Sequence, residues 1–135
     1  MKTLRQLTLA ISLAALAGSA LAANPLSVHI LDLQTGQPTA GVTVTLEQPS
    51  QDGWRPLASG VTNAQGRIAE MYPADQTMQA GDYRIVFKTG EHYARLKQDT
   101  FFPEIPVQFH VEKTGQHDHI PLLLSLFGFS TYRGN

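Results

Sequence analysis

Short stretches in which apolar and polar residues alternate recur along most of the chain after residue 25. LSVHILDL from Leu26, VTVTLEQ from Val42 and VQFHVEK from Val107 each show this period of two and contain β-branched residues. The pattern is typical of half-buried β-strands, because successive side chains of a strand point to opposite faces of its sheet. These three segments are therefore predicted to be strands.

Further short segments complete the predicted architecture. GWRPLASGVT and GRIAEMY flank the turn NAQG, GDYRIVFKTG contains a strand from Tyr83 to Lys88, and HIPLLLS and FSTYR lie on either side of Gly128. EHYARLKQ is predicted to form a short helix that ends before FFPEIP. Seven to eight short strands with regularly spaced turns predict an all-β fold, an antiparallel β-sandwich with one short helix. FSTYR would carry strand structure to the chain end, where frayed polar residues are usual.

The first 22 residues have a different pattern. Two basic residues precede an apolar run from Leu7 to Leu16, and two alanines at A-x-A spacing follow. This order predicts a signal peptide over residues 1–22, cleaved near Ala22 or Ala23, and a single domain over residues 23–135. A membrane anchor is the alternative, but the apolar run is shorter than the 18 or so residues that a spanning helix needs. We expect export to the periplasm and no membrane association after cleavage.

Charge and cysteine content narrow the possible classes of function. The chain has 10 Lys and Arg against 11 Asp and Glu. Loss of Lys2 and Arg5 with the signal peptide makes the remainder more acidic, which disfavours nucleic-acid binding because that depends on clustered positive charge. Cysteine is absent. The domain must therefore be stabilised by its core and by self-association rather than by disulfides.

Histidines in predicted strands are the first candidates for chemistry. His29 lies between apolar residues, and the period of two places His117 and His119 on one strand face. Histidine titrates near neutral pH and can act as a general base. A zinc site is the alternative, with His29 or Asp118 completing the ligand set.

Other residue types give weaker signals. No G-x-S-x-G motif and no glycine-rich phosphate loop is present in the sequence. His92 and His110 are interpreted as structural. Trp54 and FFPEIP are predicted to belong to the core and to anchor a loop, because large aromatic residues dominate the cores of small domains.

Five segments together resemble a known family. LSVHILDLQTGQPTAGVTVTLE, GRI, GDYRIVFKTGEHY, FFPEIPVQFHV and HIPLLLSLFGFSTYRGN are similar, in this order, to the transthyretin-related family. The terminal YRG resembles the 5-hydroxyisourate hydrolases within that family rather than the hormone carrier transthyretin.

The resemblance implies an assembly and an activity. It implies a transthyretin-like sandwich that forms a homotetramer, a dimer of dimers with substrate sites at the interface between dimers. It also implies hydrolysis of 5-hydroxyisourate, the product of urate oxidation, to 2-oxo-4-hydroxy-4-carboxy-5-ureidoimidazoline. Neither a metal nor an organic cofactor is implied.

The resemblance also implies site residues. His29, Arg67 and His119 match the catalytic positions, and His29, Arg67 and Tyr132 would bind substrate. Further support for binding would come from His117, Arg133, Gly134 and Asn135. These residue types suit the opening of a ring at an acyl carbon, since histidine can activate water and the arginine fork binds carbonyl oxygens and anionic groups.

Two positions depart from the family pattern. Asn135 replaces the usual terminal serine, so a role for that hydroxyl is lost while the terminal carboxylate remains. Asp118 replaces a tyrosine, and strand alternation predicts that it faces away from His119. We expect activity to be retained.

A carrier is the alternative function. It would hold a small aromatic ligand in the interface channel without turnover, with Arg67 as a solvated turn residue and Tyr132 as ordinary packing. The joint presence of His29, Arg67, His119 and the terminal YRG favours the hydrolase, because a carrier needs no such combination.

Overall fold

Eight strands and one short helix form the part of the chain that the computed structural model describes, residues 23–135. The predicted signal peptide lies outside the described residues. Within them, no helix has the length and apolar character needed to cross a membrane. The elements are β1 Leu26–Asp32, β2 Thr43–Ser50, β3 Gly53–Val61, β4 Arg67–Ile68, β5 Gly81–Phe87, α1 Thr89–Arg95, β6 Ile105–Val111, β7 Asp118–Leu124 and β8 Phe129–Thr131.

The strands form two four-stranded sheets. The first has the order β4-β1-β7-β8 and the second β3-β2-β5-β6. Every neighbouring pair is antiparallel except β1 and β7, which run parallel from Leu26 opposite Asp118 to Asp32 opposite Leu124. The predicted β-sandwich is confirmed, with one parallel pair at the centre of the first sheet. Parallel neighbours need a long connection, and here the connection contains most of the domain.

The core lies between the two sheets and follows the predicted alternation. Fully buried side chains come from every second residue of the central strands, namely Val28, Ile30, Val44, Leu46, Ile85, Phe87, Leu122 and Leu124. Burial of each such side chain stabilises the fold by about 1.5–3 kcal/mol relative to exposure. The intervening residues of β1 and β7 consequently occupy the outer face of the first sheet.

The helix is shifted relative to its predicted range. It begins at Thr89 rather than Glu91, because the Thr89 hydroxyl donates to the Phe102 carbonyl at 2.7 Å and anchors the first turn. It ends at Arg95 rather than Gln98.

Two predicted strands are shorter than expected. GRIAEMY contributes only the two residues of β4, since the Met71 amide donates to the Leu26 carbonyl at 3.0 Å and the chain bends around the start of β1. FSTYR ends as a strand at Thr131, and the tail rejoins β7 through a single bridge between Gly134 and His119. The tail is therefore paired with β7 by a single bridge rather than by a continuous strand.

The prediction that Trp54 belongs to the core is wrong. Its indole is half-buried on the outer face of the second sheet, with the Arg84 guanidinium carbon 4.6 Å from the ring centroid. The segment FFPEIP lies only partly in the core. Phe102 packs against the core and Ile105 is buried, whereas Phe101 is 72% exposed.

Candidate active site

Three side chains predicted to act together lie on the outer face of the first sheet. The strand register places Arg67 of β4 directly opposite His29 of β1. His119 of β7 is diagonal to His29, with the ring centroids 6.5 Å apart and the planes inclined by 23°. The structure therefore brings His29, Arg67 and His119 into one cluster, drawn from three neighbouring strands.

A tight turn before β4 fixes the position of Arg67. The Asn63 side-chain oxygen accepts hydrogen bonds from the backbone amides of Gln65 at 2.9 Å and Arg67 at 3.0 Å. Gly66 has a φ of +71°, and a Cβ atom there would lie 2.6 Å from the Ile30 carbonyl oxygen. Only glycine fits this approach. The Arg67 side chain is thus exposed, while its backbone is held beside β1.

A chain of hydrogen bonds supports His119. Its Nδ1 lies 2.7 Å from Ser27 Oγ, and the same oxygen lies 2.8 Å from His117 Nε2. His117 Nδ1 is 2.8 Å from the Asn24 carbonyl oxygen. Sequence reasoning missed Ser27 and Asn24. The sequence does show that Ser27 shares a strand face with His29. It does not show that Ser27 bonds to His119, which is 92 residues away along the chain.

The C-terminal tail contacts the same histidine. The Gly134 amide donates to the His119 carbonyl at 2.8 Å. A Cβ atom on Gly134 would lie 2.6 Å from His119 Cδ2, so the tail backbone packs directly against the imidazole ring. Arg133 is directed to Asp118, whose carboxylate lies 3.6 Å from the guanidinium. Gly134 is therefore the tail residue in closest contact with the cluster.

A cavity of about 460 Å³ opens between the tail and β6. Tyr132 and His119 line it on one side, and Val107 and Phe109 line it on the other. Neither His29 nor Arg67 lines this cavity, and the Tyr132 side chain is 57% exposed. The outer face around His29 is thus open in the single chain.

Burial and nearby positive charge lower the pKa of both clustered histidines and so favour their neutral forms. Burial and the Arg67 charge lower the pKa of His29, while a hydrogen bond with the Gln65 backbone acts in the opposite direction. The pKa of His119 is lowered by burial, then by Arg67, His29 and His117, with a hydrogen bond to the Ser27 backbone opposing these effects. A neutral imidazole has a lone pair that can accept a proton at pH 7.

The lowered histidine pKa values predict that acid destabilises the fold. His29, His92 and His119 all have a lowered pKa, so the unfolded chain binds more protons than the folded chain between the folded values and about 6.5. The free energy of unfolding therefore falls as the pH drops through this window and is restored above it. We expect the Tm, followed by circular dichroism, to be several degrees lower at about pH 5.5 than at about pH 7.5.

Carboxylates also titrate in acid, so a variant is needed as the control. His29→Asn combined with His119→Asn removes two of the three groups and should reduce the pH dependence of Tm. An unchanged pH dependence in that variant would contradict this assignment.

The side chains of His117 and His119 are not arranged as the zinc alternative requires. Within residues 23–135, no group of three or more histidine, cysteine or carboxylate side chains is placed to hold a metal ion. One ring nitrogen of His117 and one of His119 converge on the Ser27 hydroxyl. The H-x-H pair is thus organised around a hydroxyl group.

Two face-to-face sheets with a histidine–arginine cluster on an outer face define a transthyretin-like β-sandwich with a candidate hydrolytic site. The model of the HIUase/Transthyretin family matches residues 26–134. The chain belongs to this family, which confirms the resemblance found in its sequence segments.

Similar proteins include 5-hydroxyisourate hydrolases and a transthyretin. The chain is 54% identical over 130 residues to the 5-hydroxyisourate hydrolase of Salmonella typhimurium, covering 95% of each chain. It superimposes on the Klebsiella pneumoniae 5-hydroxyisourate hydrolase with a TM-score of 0.70 and 42% identity, covering 83% and 94% of the two chains. Transthyretin from Sparus aurata gives a TM-score of 0.74 and 34% identity, covering 82% and 96%. The fold alone therefore does not separate a 5-hydroxyisourate hydrolase from a transthyretin.

Proposed function

We propose that this protein hydrolyses 5-hydroxyisourate to 2-oxo-4-hydroxy-4-carboxy-5-ureidoimidazoline. The observation that carries the proposal is the cluster of His29, Arg67 and His119 on one sheet face, where burial and the Arg67 charge lower the pKa of both imidazoles. The 54% identity to a 5-hydroxyisourate hydrolase over 95% of the chain supports the same activity. The carrier alternative is not favoured, because carrying a ligand requires no base.

The cluster can supply each requirement of the reaction. One neutral histidine takes a proton from water while the water oxygen forms a bond to a ring acyl carbon. The charged Arg67 stabilises the negative charge that develops on the acyl oxygen. When the carbon–nitrogen bond of the ring breaks, the leaving nitrogen takes up the proton that the histidine removed from water, and the imidazole returns to its neutral form. No step requires an oxidant or a reductant.

We further propose that the working unit is a homotetramer, a dimer of dimers. The cluster is open in one chain, and β6 and β8 are edge strands beside the 460 Å³ cavity. Large apolar side chains are also exposed, including Leu33 at 51% and Phe127 at 72%. A second copy would cover such surfaces. Sedimentation of the purified protein tests this proposal, and a fully active monomer would contradict it.

We also propose that the protein acts in the periplasm. The proposal rests on the predicted signal peptide over residues 1–22. A mass measurement on protein recovered from the periplasm should show a chain that begins near Asn24. Recovery of the uncleaved chain from the cytoplasm would contradict it.

The activity is tested by following the substrate directly. Urate oxidase generates 5-hydroxyisourate, and its ultraviolet absorbance is recorded with and without the purified protein. We expect decay to accelerate in proportion to protein concentration and to be unaffected by a chelator. Unchanged decay would contradict the activity, whereas loss with chelator and recovery with zinc would favour a metal-dependent reaction.

A further inference from the structure

The hydrogen bonds behind His119 form a continuous chain that begins at a backbone carbonyl. The Asn24 carbonyl oxygen, the two ring nitrogens of His117, the Ser27 hydroxyl and His119 Nδ1 follow one another at separations of 2.8, 2.8 and 2.7 Å. Ser27 and His119 are each 9% exposed. The central bond between them is therefore shielded from competing water.

The chemistry of the donors and acceptors gives this chain a direction. A carbonyl oxygen only accepts, so His117 Nδ1 must donate to Asn24. In neutral His117, Nε2 then has a lone pair and accepts the single proton of the Ser27 hydroxyl. The Ser27 oxygen has no second proton, so it accepts a hydrogen bond from His119 Nδ1. His119 consequently has its proton on Nδ1 and a lone pair on Nε2.

We propose that Ser27 is a positioning residue that makes His119 the general base, an inference that rests on the proposed function. Nε2 lies across the ring from Nδ1, and among the described residues no hydrogen bond from another side chain or the backbone engages it, so its lone pair is the one that can accept a proton. A free histidine side chain favours the opposite tautomer, with its proton on Nε2. Ser27 reverses this preference, and His117 and the Asn24 carbonyl orient the Ser27 hydroxyl.

This assignment divides the roles of the two clustered histidines. His119 accepts the proton from water through Nε2, and its imidazolium form then gives that proton to the leaving nitrogen, while His29, beside Arg67, binds and orients the substrate. Charged groups face the chain from both sides. Arg67 lies near both clustered histidines, and Arg133 lines the surface recess around His117.

The tautomer can be measured independently of activity. Two-bond ¹H–¹⁵N spectra of the imidazole rings distinguish a proton on Nδ1 from a proton on Nε2. We expect His119 of the native protein to have its proton on Nδ1, Ser27→Ala to move it to Nε2, and Ser27→Thr to restore it through the threonine hydroxyl. A proton on Nε2 in the native protein would overturn the inference.

Kinetics on the same variants tests the consequence. Ser27→Ala should lower the catalysed rate at pH 7 by at least about tenfold, within the range that general-base catalysis contributes. Ser27→Thr should recover most of the rate, and Ser59→Ala, an exposed serine of β3, should leave it unchanged. The Tm of each variant shows whether it is folded.

The outcomes separate this inference from the proposed function. A folded Ser27→Ala variant with the full native rate overturns the positioning role. If the tautomers are as expected but the protein does not hydrolyse 5-hydroxyisourate, the proposed activity is contradicted. The conclusion that Ser27 sets the tautomer of His119 would still hold.

Discussion

Replacing His119 with asparagine is expected to lower the catalysed rate by about 10²–10⁴-fold, the contribution typical of general acid–base catalysis. The side-chain amide introduced by His119→Asn can still bond to Ser27, but it provides no basic atom at the position of Nε2. Because the buried contact with Ser27 is kept, the protein should remain folded. Initial rates of 5-hydroxyisourate decay and thermal unfolding are to be measured on the same samples.

His92→Asn is the matched control for this prediction. His92 also has a lowered pKa, but it belongs to α1 and lies outside the cluster of His29, Arg67 and His119. Its replacement should leave the rate near that of the native protein. A folded His119→Asn variant with a rate like that of the control would show that His119 is not the base.

Removal of the tail, residues 132–135, is expected to abolish turnover or reduce it severely while the fold persists. The truncation deletes the Gly134 amide that donates to the His119 carbonyl and the backbone that packs against its ring. A displacement of about 1 Å from productive geometry can cost on the order of a hundredfold in rate. Most local apolar burial is in β7, where Leu122 and Leu124 are at most 1% exposed, so the core should survive.

Asn135→Ser is the control for the truncation. It changes only the last side chain, and the contacts of Gly134 remain, so the rate should stay within a few-fold of the native value. Tm, sedimentation and rate are compared for both variants. A truncated protein that is folded, assembled and fully active would show that the tail contributes packing alone.

The strands could be predicted because their alternation is local. For β1, β2, β3, β5, β6 and β7, the predicted bounds lie within two residues of the observed ones. The parallel pairing of β1 with β7 could not be predicted, since nothing within either segment specifies a neighbour some 90 residues away. The position of Trp54 was also missed, because a large aromatic residue can cover an arginine on a sheet face as well as fill a core.

The candidate site was predictable only in part, for the same reason. His29, Arg67 and His119 could be selected from the chemistry of their side chains together with the family resemblance. Ser27 could not, because its role depends on the register that sets it opposite His119. The contact of Gly134 with His119 likewise depends on the pairing of the tail with β7, which becomes visible only in the folded chain.

The central claim is that the cluster on the first sheet catalyses turnover rather than holding a ligand. The most direct measurement follows the decay of a large molar excess of freshly generated 5-hydroxyisourate over protein subunits, with the spontaneous decay subtracted. We predict that the whole excess is consumed faster than it decays alone, so that each subunit converts many substrate molecules. If the decay is unchanged, or if the protein only protects up to one substrate molecule per subunit from decay, this account is contradicted. The second result would indicate a carrier.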